Sequence, residues 1–268
     1  MHESQMQKKS SFITLTIAPE YLQEVYDLKK GNTKEKEKFS QYSICKRSMQ
    51  KFMKRLRKNT GQNIRYFACG EYGDKNNRPH YHAIIFGFDF PDKTIYTQTK
   101  NGDYLYRSAT LEKSWKYGFS LIGEVTFQSA AYVARYVMKK RKGDPETIDP
   151  LTGKTNAEYY MLEEPETGEI FKLQQEFALM SRNPGLGKDW FEKYKSDTNK
   201  DFLTINGNKM SLPKYYDSLL KVEDLADYEN RKRKRKKNIN PAEQTPDRLQ
   251  AKKQCVEARS NQLIRQLL

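Results

Sequence analysis

The chain has little cysteine. Its 268 residues contain three, Cys45, Cys69 and Cys255, an odd number in no metal-binding spacing, which argues against a disulfide framework and suits a reducing compartment. Long apolar runs are missing: the longest, Ala83 to Phe88, is far too short to span a bilayer. The first residues (HESQMQKKS) are polar and hold no apolar signal core. No phosphate-binding loop of the form G-x-x-x-x-G-K-[ST] occurs, since Gly185-Leu-Gly-Lys188 lacks both the first glycine and the final hydroxyl. Acidic residues are in deficit, 34 Asp and Glu against 49 Lys and Arg, and there are only three histidines. A soluble protein of the cytoplasm, with no membrane association, is the expectation.

The resulting net charge of +15 points to a polyanionic partner, because Lys and Arg release counterions when they meet phosphates. A single basic tail does not account for it. Residues 231–237 read RKRKRKK, and removing those seven charges from +15 still leaves +8.

Periodicity gives a coarse map. Ser11–Ile17 (SFITLTI) reads as a strand, and Gln41–Lys58 as a helix with Ile44, Cys45, Met49, Phe52, Met53 and Leu56 on its apolar side. Its other side carries Lys46, Arg47, Lys51, Lys54, Arg55, Arg57 and Lys58, either a solvated face or a DNA-contacting one. Ile64–Glu71 and His80–Phe88 read as strands of a long-looped antiparallel hairpin, Leu111–Tyr117 as a short helix, Phe119–Phe127 as a strand, and Ser129–Arg141 as a helix opened by that serine. The order argues for an α+β fold with a central, mostly antiparallel sheet flanked by helices. Residues 143–168 are loop-like, Phe202–Leu212 holds the turn Asn206-Gly207, and from Asp224 onward a helical or disordered tail is expected.

Two constellations carry chemistry. The first is Arg78-Pro-His-Tyr-His82. Alternate residues on a strand share a face, so His80 and His82 point the same way, about 7 Å apart. An antiparallel neighbour brings the carboxylate of Glu71 beside them, with Asp74 as the alternative. Two imidazoles and a carboxylate suit Mn²⁺, Mg²⁺, Zn²⁺ or Fe²⁺; a packed strand is the plainer reading of the same residues.

The second is Ser129–Lys140, SAAYVARYVMKK. On a helix Tyr132, Arg135, Tyr136 and Lys139 form one stripe, and Ala130, Val133, Ala134 and Val137 another. The apolar stripe is expected to face the core, leaving the two phenols among two cations. A phenol with a pKa near 10 attacks phosphate poorly without help. A divalent ion held by His80, His82 and Glu71 supplies such help by polarising the scissile phosphate, and Lys139 or Arg135 can stabilise the tyrosinate. The product is a 5′-phosphotyrosine and a free 3′-hydroxyl.

These motifs in this order resemble the HUH endonuclease superfamily, and within it the replication-initiation proteins of microviruses of the gokushovirus type. FITLTI (12–17) is similar to the first family motif, RPHYH to the metal motif and YVARYVMKK (132–140) to the paired-tyrosine motif, and EFALMSRNPGLGKDWF (176–191) adds to the likeness without an assigned role. The resemblance covers residues 11–141. It implies His80 and His82 as metal ligands, Glu71 as the third, Tyr132 and Tyr136 as nucleophiles and Lys139 as a helper. One departure is Tyr81 between the histidines, more polar than the usual aliphatic. Site-specific nicking and rejoining of single-stranded DNA to start and end rolling-circle replication follows, with Mg²⁺ or Mn²⁺ as cofactor. The partners implied are a replicative-form origin and, because the chain shows no helicase motif, a host helicase and polymerase in the cytoplasm of a bacterial cell. The organisation expected is a polar segment 1–10, a nicking core 11–141, a family-specific extension 142–223 and a basic tail 224–268. A non-catalytic nucleic-acid-binding protein and a non-haem iron oxygenase are the alternatives. The second of these explains neither the tyrosines nor the charge.

Overall fold

The β-branched run at the start of the chain forms the centre of a sheet. A computed structural model describes residues 1–25, 42–73, 78–99, 101–139, 144–149, 152–163, 167–205 and 207–262. Two compact units divide it, one of Met1 and Glu3–Arg182 and one of His2 and Asn183–Leu268.

In the first unit, β1 (Ser10–Thr16) lies between a hairpin and a short strand. The hairpin is β2 (Arg65–Tyr72) and β3 (Pro79–Phe86). Beyond β1 come β4 (Thr94–Gln98), β5 (Tyr104–Arg107) and β6 (Ser120–Gly123). With β9 (Phe177–Met180) they form a seven-stranded sheet in the order β4-β5-β6-β1-β3-β2-β9, antiparallel throughout. The chain is therefore α+β, as its pattern indicated. The seventh strand comes from beyond residue 141, and Gly70 makes its docking possible: a Cβ there would stand 2.7 Å from the ring of Phe177.

Alternation gives the sheet two unlike faces. Ile13, Leu15, Ala68, Tyr81, Ala83 and Ile85 line one, under α1 (Lys46–Thr60), which buries Met49, Phe52, Met53 and Leu56 against them. Each such side chain removed from water contributes roughly 1.5–3 kcal/mol. The helix starts later than the apolar spacing suggested. Ile44 and Cys45 precede it yet are buried, because the Cys45 amide donates to the Tyr81 hydroxyl (2.8 Å) and the Ile44 amide to that of Tyr72 (3.2 Å). Two cations of the outer face are structural: Arg57 donates to the Ile64 carbonyl and Arg55 to that of Ser114 (2.9 Å).

The other sheet face carries Phe12, Thr14, Thr16, Cys69, Glu71, His80 and His82, and α3 (Phe127–Lys139) covers part of it. α2 (Ala109–Ser114) is shorter than expected, capped by Ser108, whose hydroxyl accepts from the Leu111 amide at 3.2 Å. The strand expected over 119–127 stops at Gly123, because Thr126 opens α3. Its hydroxyl accepts from the Ser129 amide (3.1 Å), and the Ser129 hydroxyl accepts from the Thr126 amide (2.8 Å). That reciprocal box puts Ser129 inside the first turn rather than at its head. The β4–β5 hairpin had no counterpart in the sequence reading. Within the loop-like stretch, β7 (Met161–Glu163) and β8 (Ile170–Lys172) form a separate pair.

The second unit holds α4 (Lys188–Lys193), the hairpin β10 (Phe202–Ile205) and β11 (Asn208–Ser211), α5 (Lys214–Glu223), α6 (Leu225–Lys237) and α7 (Pro246–Gln262). The hairpin turns at Gly207, with φ of 77°; Asn206 lies outside the described residues. RKRKRKK is a helix and not a loose tail. Arg231, 6% exposed, donates to the Thr198 carbonyl, the Asn199 side chain and Asp227, while Arg235 is clasped by Asp201 and Asp217. Those two carboxylates hold the Arg235 guanidinium more firmly protonated than usual. His2 belongs to this unit, its ring stacked on Trp190 at 3.6 Å with Nδ1 2.6 Å from the Tyr216 hydroxyl.

Candidate active site on the polar sheet face

The register of the central strands assembles the site. Glu71 stands opposite His80, Cys69 opposite His82, and on the other flank Thr16 pairs with His80 and Thr14 with His82. Glu71, His80 and His82 are thus brought together as expected. Glu71 and His82 are 3% and 2% exposed, and His80 is half-buried at the open side. The Glu71 carboxylate lies 3.0 Å from His82 Nε2, and the two imidazoles are near-parallel with centroids 6.5 Å apart.

The outer hydrogen bonds orient both rings. His80 Nδ1 is 2.7 Å from the Arg78 carbonyl, which only accepts, so the proton sits on Nδ1 and the Nε2 lone pair is exposed. The same carbonyl accepts from the Gly73 amide (2.9 Å), closing the hairpin, and a Cβ on Gly73 would stand 2.9 Å from the His80 ring. His82 Nδ1 meets the Thr14 hydroxyl at 3.1 Å. Gly73 and Thr14 are parts of the site that the sequence reading did not single out; FITLTI carried the signal for Thr14, whose polar side chain interrupts an apolar strand.

Among the described residues no group of three or more His, Cys, Asp or Glu forms a ready metal cage. The donor set nevertheless fits a divalent ion. Two imidazoles and a carboxylate share one face, each Nδ1 has an oxygen partner of the kind that orients metal-binding histidines, and the Nε2 atoms are the ones left to bind. Binding at His82 requires its Nε2 to exchange the proton it shares with Glu71 for the ion. Asp74 lies outside the described residues.

Tyr81, between the histidines, points to the opposite face, is fully buried, and its ionisation is pushed up by loss of water. With its hydroxyl bonded to Cys45 it belongs to the α1 layer, so the departure from an aliphatic leaves the site unchanged.

The helix departs from expectation. Tyr132 was placed opposite the core, with Ala134 in the apolar stripe; instead Tyr132 is 6% exposed, Val133 is buried and Ala134 faces solvent. The Tyr132 ring stands edge-on to His82 at 5.2 Å and to Phe12 at 6.3 Å. The physical reason is the polarity of the sheet beneath: an aromatic edge packs well on imidazole and phenyl faces, where an aliphatic stripe would meet Thr14, Glu71 and His82. Arg135 is half-buried on the same helix. Tyr136 and Lys139 fall within its bounds, but their side chains lie outside the described residues.

Among the described residues no helix is long and apolar enough to cross a membrane. Residues 10–141 match the family described as replication-associated protein ORF2. The chain is 29% identical over 254 residues to replication-associated protein VP4 of Bdellovibrio phage phiMH2K, covering 92% of this chain and 70% of that protein. Replication-associated protein ORF2 of Spiroplasma virus 4 is 34% identical over 137 residues, 50% of this chain and 39% of that one. Replication-associated protein ORF4 of Chlamydia phage 1 is 39% identical over 97 residues, 33% of this chain and 24% of its own length. No solved structure matches the chain. A family match centred on the polar sheet face, joined to similarity along most of the length, makes this chain a member of the microvirus-type replication-initiation proteins.

Proposed function

We propose that the protein is a site-specific, metal-dependent endonuclease of the HUH type that nicks and rejoins single-stranded DNA to start and end rolling-circle replication. The observation that carries this reading is the placement of Tyr132 edge-on to His82, in one layer with His80 and Glu71. A nucleophile and a phosphate-activating site need to share one small volume, and strand register and helix packing bring them together here.

His80, His82 and Glu71 would hold Mg²⁺ or Mn²⁺, which when bound supplies charge neutralisation at the scissile phosphate. The chain's own residues do the rest. Arg78 and Thr14 orient the imidazoles. Tyr132 Oη attacks phosphorus, forming the O–P bond as the bond to the 3′-oxygen breaks. The phenol gives up its proton, the 3′-oxygen takes one from water, and the products are a 5′-phosphotyrosine and a 3′-hydroxyl. Arg135 and Lys139 are the cations assigned to the tyrosinate, and Tyr136 is the nucleophile of the second transfer. Rejoining reverses the step without ATP, because the phosphotyrosine conserves the energy of the bond. Unwinding and synthesis fall to a host helicase and polymerase.

The decisive test is the adduct. A single-stranded origin fragment labelled on the 3′ side of the nick, incubated with Mn²⁺, is expected to yield labelled protein that survives boiling in detergent. Binding without any such adduct would favour the other reading, a non-catalytic DNA-binding protein in which the His82–Glu71 contact is only structural, as the lack of a ready cage suits.

A further inference from the structure

The polar sheet face is covered unevenly. Its inner row, Thr14, His82 and Cys69, is buried beneath α3, at 8%, 2% and 1% exposure. The next row runs Glu71, His80, Thr16, and it is continued on the far side of β1 by Phe119, whose carbonyl accepts from the Thr16 amide at 2.9 Å. His80 and Thr16 are half-buried, and Phe119 is 65% exposed, the most exposed aromatic among the described residues. The open part of this face is therefore a strip that begins at the half-buried histidine and ends at a bare phenyl ring.

Phe119 is held there by the backbone. Ser120, its neighbour, is 5% exposed and pairs with Leu15 of the opposite, apolar layer, so alternation puts Phe119 on the face of His80. Tyr117, two residues earlier, would share that face in a regular strand but is buried in the other core. Gly118 breaks the alternation with a φ of 145°, and a Cβ there would stand 2.5 Å from the Ala18 amide nitrogen. A glycine with no room for substitution thus turns one aromatic inward and the next outward.

We infer that Phe119 is a stacking platform for a nucleobase next to the scissile phosphate, a positioning element for single-stranded DNA; the inference rests on the proposed nicking function. Two strand spacings separate Phe119 from His80, about 10 Å, so a strand whose phosphate lies at His80 brings a neighbouring base over the ring. Stacking on an aromatic face is how proteins of this charge hold unpaired strands without reading sequence, since every base has a π-face. A base in a duplex is already stacked on its neighbours, so the platform favours single-stranded over double-stranded DNA.

The test uses the full chain, a thymine oligonucleotide and the same oligonucleotide made abasic. Phe119→Ala and Phe119→Leu are each expected to weaken thymine-oligonucleotide binding about ten-fold, within the range of one stacked base, while abasic binding stays the same. Phe119→Trp is expected to keep the affinity, and its emission to fall on adding the thymine strand but not the abasic one; native Trp115 and Trp190 are buried, at 1% and 6%, so the exposed indole dominates the change. Unchanged melting temperatures certify the fold of each variant. If Phe119→Leu binds like the parent, or the indole is not quenched, the platform is refuted. The nicking proposal is scored separately by the covalent adduct. Quenching without any adduct leaves the platform standing and removes the endonuclease, and adduct formation with unaltered binding by Phe119→Ala does the reverse.

Discussion

Tyr132 stands edge-on to His82, its ring centroid 5.2 Å from the imidazole and its side chain almost wholly withdrawn from solvent. The first tyrosine of the pair is thus already at the histidine layer, and Tyr136 follows one helical turn later. Tyr132→Phe and Tyr136→Phe are each expected to keep some first-round nicking, and the double variant to form no adduct. Both single variants should fail in continuous multi-round synthesis, because the first phenol is still bonded to DNA when the regenerated origin must be cut. Peptide mapping of the adduct gives the check: one labelled tyrosine, with the other variant still running repeated rounds, would end the alternating scheme.

The histidines and their supports separate chemistry from affinity. His80→Ala or His82→Ala should lower nicking by roughly 10²–10³-fold, while single-stranded DNA binding, spread over many phosphates, largely survives. Thr14→Val removes the hydroxyl from His82 Nδ1 and should raise the Mn²⁺ concentration needed for nicking about 10- to 100-fold, with recovery at high metal. A Mn²⁺ titration of parent and variants reads both. Wild-type nicking by the doubly substituted histidine protein would dispose of the metal site.

The basic helix α6 offers two kinds of cation. Lys232, Arg233, Lys234, Lys236 and Lys237 are exposed, whereas Arg231 and Arg235 are built into the unit. Replacing the five exposed residues by Gln should weaken origin and random DNA alike and flatten the salt dependence, with little change in melting temperature. Arg231→Ala, which orphans buried partners, should destabilise by roughly 3 kcal/mol. Loss of origin binding alone, with random binding intact, would show that the helix reads sequence.

His2 supplies a pH dependence. Burial beside Trp190 and Tyr216, and then the nearby terminal ammonium, lower its pKa from 6.5 to about 4. A lowered basic group binds more protons when unfolded, so stability falls as pH drops through 6.5 and the loss is complete below about 4. Carboxylates titrate nearby, and the contrast with His2→Gln isolates this term. Thermal melting between pH 4 and 7 is expected to be steeper for the parent than for the variant; parallel curves would contradict the assignment.

How much of this was legible in the sequence follows from the range of the interactions involved. Period-two alternation placed His80 and His82 on one face and Glu71 beside them, because strand geometry and a hairpin are local. Charge named a polyanionic partner, and the order of three motifs identified the family. Which way α3 turns was not local. A stripe of Ala130, Val133 and Ala134 looks like a core face until the sheet beneath it proves to be polar, and then Tyr132 takes that side. The basic run likewise reads as a solvated tail until Asp201, Asp217 and Thr198, distant in sequence, close around two of its arginines. Phe119 was one aromatic among 13 phenylalanines, and only cross-strand register set it in line with His80. Side-chain identity and short periodicities determined the chemistry available to this chain; the packing of elements far apart in sequence decided which of those groups meet.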